Sequence, residues 1–319
     1  MKPALVEPSL ARSLLATQLA AQGFYSVAFL SRESFVEALD DAAIPEATRQ
    51  KYAVDAVQSL AVVALRYGNG AYPAPDWSLR YGGSAPSMQI ARFARVNWYR
   101  EISSRLGAAV AGAVAQAARQ GIALPVLKKW HRLVNSSLPE KDLALKSGLG
   151  WMGSNTIIIA RKTAGSAKGP DFSSAVLLGL LLCPVDTGSD RPQPVENRCG
   201  DCRRCIEACP TGALAAGDSG YERKACIQHW TAIDGELPPI VSQAMRGILY
   251  GCDSCLEACP YFFPDEEAAC SLGRLGPALP ASLFLEATDA ELRRDLACST
   301  LDRAWMSMEA FRRNARLAL

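Results

Sequence analysis

The stretch "KSGLGWMGSNTIIIAR" (146–161) contains a G-x-G-x-x-G pattern at Gly148, Gly150 and Gly153. In a dinucleotide-binding loop such glycines follow a strand and open a helix whose N-terminus faces the pyrophosphate. Here the order is reversed. The preceding "LPEKDLALKS" (138–147) places Leu143 and Ala144 at helical spacing behind Pro139, and the following "NTIIIA" (155–160) is β-branched and apolar, as a strand is. Gly148 is therefore expected to cap a helix, and Gly150 and Gly153 to permit close backbone approach. This reading excludes a nicotinamide loop, and the chain has no Walker A pattern.

The 319 residues suffice for one large or two ordinary domains, and a formal net charge of +2 does not by itself announce nucleic-acid binding. The opening segment is interrupted by Glu7 and Arg12 and reads as an amphipathic helix rather than a secretory leader. The longest apolar run, Ala175 to Val185, is too short to span a bilayer and suits a buried strand. A cytoplasmic protein is expected. The chain carries 11 cysteines, and eight lie between Cys199 and Cys259. In a reducing compartment that density points to metal or redox chemistry rather than disulfides.

"CGDCRRCIEACP" spells Cys199-x2-Cys202-x2-Cys205-x3-Cys209-Pro, the bacterial ferredoxin run in which the fourth cysteine reaches a second [4Fe–4S] cubane. "GCDSCLEACP" repeats its ending as Cys252-x2-Cys255-x3-Cys259-Pro, and Cys226 supplies the cysteine this second run lacks. The expected ligand sets are Cys199, Cys202, Cys205 and Cys259 for one cluster, and Cys209, Cys226, Cys252 and Cys255 for the other. Zinc prefers two separated C-x2-C pairs around one metal and fits this rhythm poorly. Cys183, Cys270 and Cys298 read as ordinary buried thiols.

Elsewhere helical patterns cover 9–22, 47–58, 96–119 and 138–147, and strand patterns cover 24–30, 59–66, 155–160 and 174–183. The expected fold class is α+β, with a bacterial-ferredoxin-like dicluster domain. Residues 1–190 form a first domain and 191–265 the cluster domain. Residues 266–319 are expected as C-terminal helices packing back on the first domain, with no long helical-repeat extension. The Gly/Pro/Ser-rich stretch 67–87 reads as a lid.

Taken together, "GFYSVAF" (23–29), "SLAVVALRYG" (59–68), "QIARFARVNWYREISSRL" (89–106), "EKDLALKSGLGWMGSNTIII" (140–159), the eight cysteines and "ILYGCDSCLEACPYF" (248–262) resemble, in order, the epoxyqueuosine reductases. These are cobalamin-dependent iron–sulfur enzymes of tRNA modification. The resemblance implies a first domain related to flavin nitroreductases and base-off cobalamin held between that domain and the cluster domain. It implies cobalamin contacts at Lys141, Gly150, Trp151, Ser154, Asn155, Ile158, Gln228 and Asp253. It also implies a reducing partner such as ferredoxin or flavodoxin, and a monomer without membrane attachment.

Three positions depart from the family. Its aspartate proton donor is replaced by Asn135 or the adjacent Ser136, the histidine after Tyr99 by Arg100, and a lysine by Ser154. An amide donates a hydrogen bond but delivers no proton at neutral pH. Asn135, Tyr99 and Arg100 are the expected catalytic positions. The leading expectation is a cobalamin- and [4Fe–4S]-dependent reductase with an altered, small-molecule substrate. The alternatives are a true epoxyqueuosine-tRNA reductase, and a corrinoid-handling or ferredoxin-type electron carrier.

Overall fold

The computed structural model describes residues 6–68, 76–77, 81, 86–163, 165, 168–188, 192–214, 220–268, 270, 272–303 and 305–319. Most of the expected lid at 67–87 lies outside them. The chain divides into two compact units, 1–66 with 99–153 and 158–198, and 67–98 with 154–157 and 199–319.

The first unit is built on a four-stranded antiparallel sheet in the order β1 (Ser26–Ser31), β2 (Ser59–Arg66), β8 (Val176–Cys183), β4 (His131–Leu133). The central strands "SLAVVALR" and "VLLGLLLC" are continuous apolar runs because both faces of the sheet are covered; every residue of β2 is buried. Leu60, Val62, Leu180 and Leu182 join Phe35, Leu39, Leu143 and Leu149 in one core. On the other face the helix Trp98–Arg119 comes down on β8, where Ile102 and Leu106 lie over Gly179 beside Val63. Each such Leu or Val contributes about 1.5–3 kcal/mol by leaving water. The helix Pro8–Ala21 is tied to this long helix by Gln18 Nε2 donating to Gln116 Oε1 at 2.9 Å.

The glycine stretch is a helix-to-strand corner, as its sequence order requires. The helix Glu140–Lys146 stops where Gly148, at φ +67, donates to Leu145 O (3.0 Å) and Leu149 N donates to Ala144 O (3.0 Å). The chain then enters β5 (Gly150–Met152), which pairs antiparallel with β6 (Ile158–Arg161), itself paired with β7 (Phe172–Ser173).

In the second unit, β3 (Ser87–Ile90) lies between β10 (Ala278–Pro280), antiparallel, and β9 (Ile248–Tyr250), parallel. Residues 86–98 thus belong with the cluster-bearing unit rather than with the first domain, because β3 is hydrogen-bonded into its sheet. The C-terminal helices also belong here. Leu283 and Phe284 of Ala281–Glu286, Leu292 of Asp289–Asp295 and Phe311 of Met308–Arg316 share a core with Met88, Leu249 and Tyr250. These helices, expected to pack back on the first domain, share this core within the second unit.

One helical expectation shortens. The pattern at 47–58 yields the helix Glu46–Lys51 and a 3-10 turn at Val54–Ala56, with Ala53 at φ +47 breaking the helix between them. Cys298 is exposed, not buried, on a left-handed turn at φ +64, whereas Cys183 and Cys270 are buried as expected. Among the described residues no helix is long and apolar enough to cross a membrane.

A Cβ on Gly150 would lie 2.1 Å from Ile159 O and 2.9 Å from Ala160 Cα, both backbone atoms of the paired strand. Gly150→Ala is expected to destabilise by about 1–3 kcal/mol, read as a lower denaturant midpoint at unchanged slope.

Candidate functional site

The two cysteine runs fold alike. In the first, Cys202 N donates to Cys199 O (2.9 Å), the helix Arg204–Glu207 follows, and Cys209 N closes on Ile206 O (3.2 Å). In the second, Leu256 N donates to Asp253 O (2.9 Å), the helix Ser254–Glu257 follows, and Cys259 N closes on Leu256 O (3.0 Å). The two short helices pack against each other. Tight turns are required here, because several sulfurs must converge from a few residues of chain.

The sulfurs of the two runs crowd one another. Burial pushes the Cys205 thiol up, and Cys259 and Cys199 add to the effect by like-charge repulsion. Burial pushes Cys255 up to about 12, with Cys252, Cys226, Cys205 and Cys209 next in order. Cys252 is raised by burial and further by Cys226. Cys199 and Cys259 thus lie near Cys205, and Cys252, Cys226, Cys205 and Cys209 lie near Cys255. Cys202 is exposed at the rim. Among the described residues no three His, Cys, Asp or Glu side chains close to the spacing of a single bound ion.

Cys209 behaves differently. Burial pushes its thiol up, but the N–H groups of Thr211, Leu214 and Ala213 and the Thr211 hydroxyl, 3.7 Å from its sulfur, outweigh burial and hold it below the ordinary value. Backbone donors thus surround this sulfur and favour its ionised form. Tyr221 faces Cys226, and burial with that neighbour pushes its hydroxyl up to about 12.

Around this centre stand several residues expected from sequence. Asp253 is half-buried; its Oδ2 accepts from Arg92 N (2.7 Å), while Oδ1 is buried with no hydrogen-bond partner. Asn155, 4% exposed, donates from Nδ2 to Cys255 O (3.4 Å) and accepts at Oδ1 from Ile157 N (3.2 Å). Its side chain thus holds the segment 154–157 to the second cysteine helix. Ser154 is exposed, and Gln228, half-buried, lies near Gly251. His229 Nδ1 accepts from Arg223 Nε (3.2 Å), and burial holds its imidazole below the ordinary value.

The other expected residues belong to the first unit. Trp151, 2% exposed, meets Phe172 edge-on at 5.0 Å, and Arg198 stacks on Phe172 at 4.4 Å. Ile158 is in the core, and Lys141 is exposed on the helix Glu140–Lys146. Tyr99, half-buried, and Arg100, exposed, start the long helix Trp98–Arg119. Asn135 is exposed at φ +52 on the loop after β4, a left-handed conformation that asparagine tolerates.

The hydrogen bonds of that loop run to two residues the sequence reading had not singled out. Glu140 Oε1 accepts from Ser136 N (2.7 Å) and Ser136 Oγ (2.9 Å), and the Asn135 N–H faces the same carboxylate. Tyr52 Oη lies 3.1 Å from Ser137 Oγ and accepts from Ser137 N (3.3 Å). A capping-box spelling, Ser137-Leu138-Pro139-Glu140, was visible as a signal; the structure uses Ser136 in its place.

Residues 198–261 match the family model of the 4Fe-4S double cluster binding domain. The epoxyqueuosine reductase of Bacillus anthracis is 30% identical over 203 residues, 61% of this chain and 49% of that protein. The chain spans about half the length of the curated relatives it matches. An epoxyqueuosine reductase structure from Bacillus subtilis, described with an aspartate catalytic loop swung out of its active site, superposes with a TM-score of 0.67 at 19% identity, covering 98% of this chain and 82% of that one. A structure of epoxyqueuosine reductase with a tRNA-Tyr epoxyqueuosine-modified tRNA stem loop gives 0.68 at 19%, with the same coverage. At such identity these structures establish the fold. The chain is thus a relative of the epoxyqueuosine reductases in sequence, with their fold, and residues 198–261 are its 4Fe-4S double cluster binding domain.

Proposed function

We propose that this protein is a cobalamin-dependent reductase supplied with electrons by two [4Fe–4S] clusters. The observation that carries the reading is the crowding of its thiols around Cys205 and Cys255; the spacing of the two runs supports Cys199, Cys205 and Cys259 as a first ligand set and Cys209, Cys226, Cys252 and Cys255 as a second. Cys202 completes the first set by its place in the ferredoxin run. Crowded, buried thiols resist ionisation singly, and a cationic iron core offsets that resistance. The donor set therefore fits two cubanes better than it fits bare thiols.

The resemblance supports cobalamin, and the second unit offers an observation consistent with it. Asp253 Oδ1 is a buried acceptor without a protein donor, and the amide-rich rim of a corrin presents N–H groups suited to it. Within the second unit, Asp253, Gln228, Asn155 and Ser154 would hold the cofactor. When bound, the corrin supplies a low-valent cobalt that is strongly reducing. The protein's own part is to deliver electrons through the cysteine helices and to keep Tyr99, Arg100 and the Asn135 loop in place.

Reductive removal of an oxygen consumes protons, and Asn135 brings none. Glu140 is an acid bonded to the loop. Burial pushes its carboxyl above the ordinary 4.5, with the Ser136 and Asn135 donors acting in the opposite direction. Glu140 holds the loop and keeps a proton to higher pH than a free glutamate. On this reading tRNA epoxyqueuosine is one substrate class, by analogy with the relative solved with a tRNA stem loop. The exchange of aspartate for Asn135 favours a second reading, a smaller substrate whose proton arrives by another route.

Anaerobically purified protein is expected to hold about eight iron atoms and about one cobalt per chain. Zinc in the cysteines, or protein that refuses corrin after reconstitution, overturns the proposal. Offered an epoxyqueuosine-modified stem loop, a true tRNA reductase turns it over as isolated. If only Asn135→Asp does so, the natural substrate is another one. The raised Glu140 pKa means that its contribution to stability is full below pH 4.5 and is lost as pH rises through the raised value. Unfolding measured from pH 4.5 upward should therefore show the native chain losing stability relative to Glu140→Gln; parallel curves would contradict it.

A further inference from the structure

The helix Met308–Arg316 lies far along the chain from every cysteine of the double cluster segment, yet its polar side chains are directed at that segment. Asn314 is 0% exposed. Its Nδ2 donates both protons, one to Thr231 O at 3.0 Å and one to Leu249 O at 2.9 Å. Thr231 ends the helix that starts directly after Cys226, and Leu249 is in β9, which runs directly into Gly251 and Cys252. One amide thus bridges the two chain segments that bring Cys226 and Cys252 together.

The neighbouring side chains fix that amide. Arg313 Nη2 and Nε donate to Asn314 Oδ1 at 2.9 and 3.2 Å. The same guanidinium donates to Trp230 O (2.6 Å), Ile233 O (3.1 Å) and Gly235 O (3.0 Å). Ser307 N donates to Ala232 O (3.1 Å), and Ser307 Oγ donates to Asp234 Oδ1. Leu317 packs into the apolar group that contains Ile227, Met245 and Cys252. The carbonyls of Trp230, Thr231, Ala232 and Ile233 are all met by this C-terminal element, that of Ala232 through Ser307 at the helix start. The bonds described for Arg313 and Asn314 reach the Cys226 and Cys252 segments and not Cys199–Cys205.

We propose that Asn314 is a positioning residue for the cluster of Cys209, Cys226, Cys252 and Cys255, fixing the separation of its two remote ligand segments, with Arg313 locking the amide's orientation. The inference rests on the two-cluster reading above. Only a primary amide on a short stem offers two N–H donors and an acceptor in one plane. Leucine has the size without the donors, and serine has one donor and too little reach. An ordinary core hydrogen bond would stabilise the whole unit. A spacer between two ligand segments acts on one cluster and spares the other.

The test compares native protein, Asn314→Leu, Asn314→Ser and a control, Phe284→Leu, which lies in the same core but makes no bond to either ligand segment. Each is reconstituted anaerobically and challenged with an iron chelator, with iron counted per folded chain and the reduced protein examined by electron paramagnetic resonance. Native protein that holds no pair of clusters sinks the two-cluster reading itself and this inference with it. Given two clusters in the native protein, Asn314→Leu is expected to retain about four iron atoms where the native chain retains about eight, and to lose the spin coupling between clusters. If that variant does not fold, Asn314→Ser should lose one cluster about tenfold faster than the native chain and the other at the native rate. Retention of both clusters at native rates, or loss of both together as in a merely destabilised Phe284→Leu, overturns the assignment.

Discussion

Four other sulfurs press on Cys255, and burial with their repulsion pushes its thiol up to about 12. That crowding is the constraint from which the second unit follows. A protein that gathers Cys252, Cys226, Cys205 and Cys209 around one buried thiol has assembled groups that repel whenever they ionise. Such an arrangement persists only if the surrounding chain is held firmly and if a cation core is available to neutralise it. Backbone donors around Cys209 oppose its burial and hold its thiol below the ordinary value.

Holding the chain is the work of segments distant in sequence. β3 enters the sheet between β9 and β10, so residues near 90 share a sheet with the strand that leads to Cys252. Arg92 N binds Asp253, the residue after Cys252. Asn155 reaches Cys255 O from the end of the glycine stretch, and the C-terminal helix ties Thr231 to Leu249. The double cluster segment is thus framed by three elements that a ferredoxin-like run does not itself contain. This is why a cluster domain bounded at 191 and 265 is too narrow a description of the unit.

In the first unit the analogous framing falls on the Asn135 loop. Glu140 grips it from the helix start, and Tyr52 holds its other side. The loop is built as a fixed loop, with a half-buried acid bonded to it.

Much of this was legible in the residues alone. The helix–glycine–strand order, the two central strands at 59–66 and near 174–183, and the pairing of the cysteine runs are local patterns, set by periodicity, β-branching and turn chemistry within short windows. Those patterns decided that the glycines were no nucleotide loop and that the thiols would meet. They could not decide which remote segment covers them, because hydrogen bonds from Asn155, Arg92 and Asn314 to backbone carbonyls and amides leave no periodic trace. Nor could they show that Glu140 would turn back onto Ser136, or that the last helices would share a core with Tyr250. Those are outcomes of packing between parts of the chain far apart in sequence, where burial and the demand that each buried polar group find a partner select one arrangement.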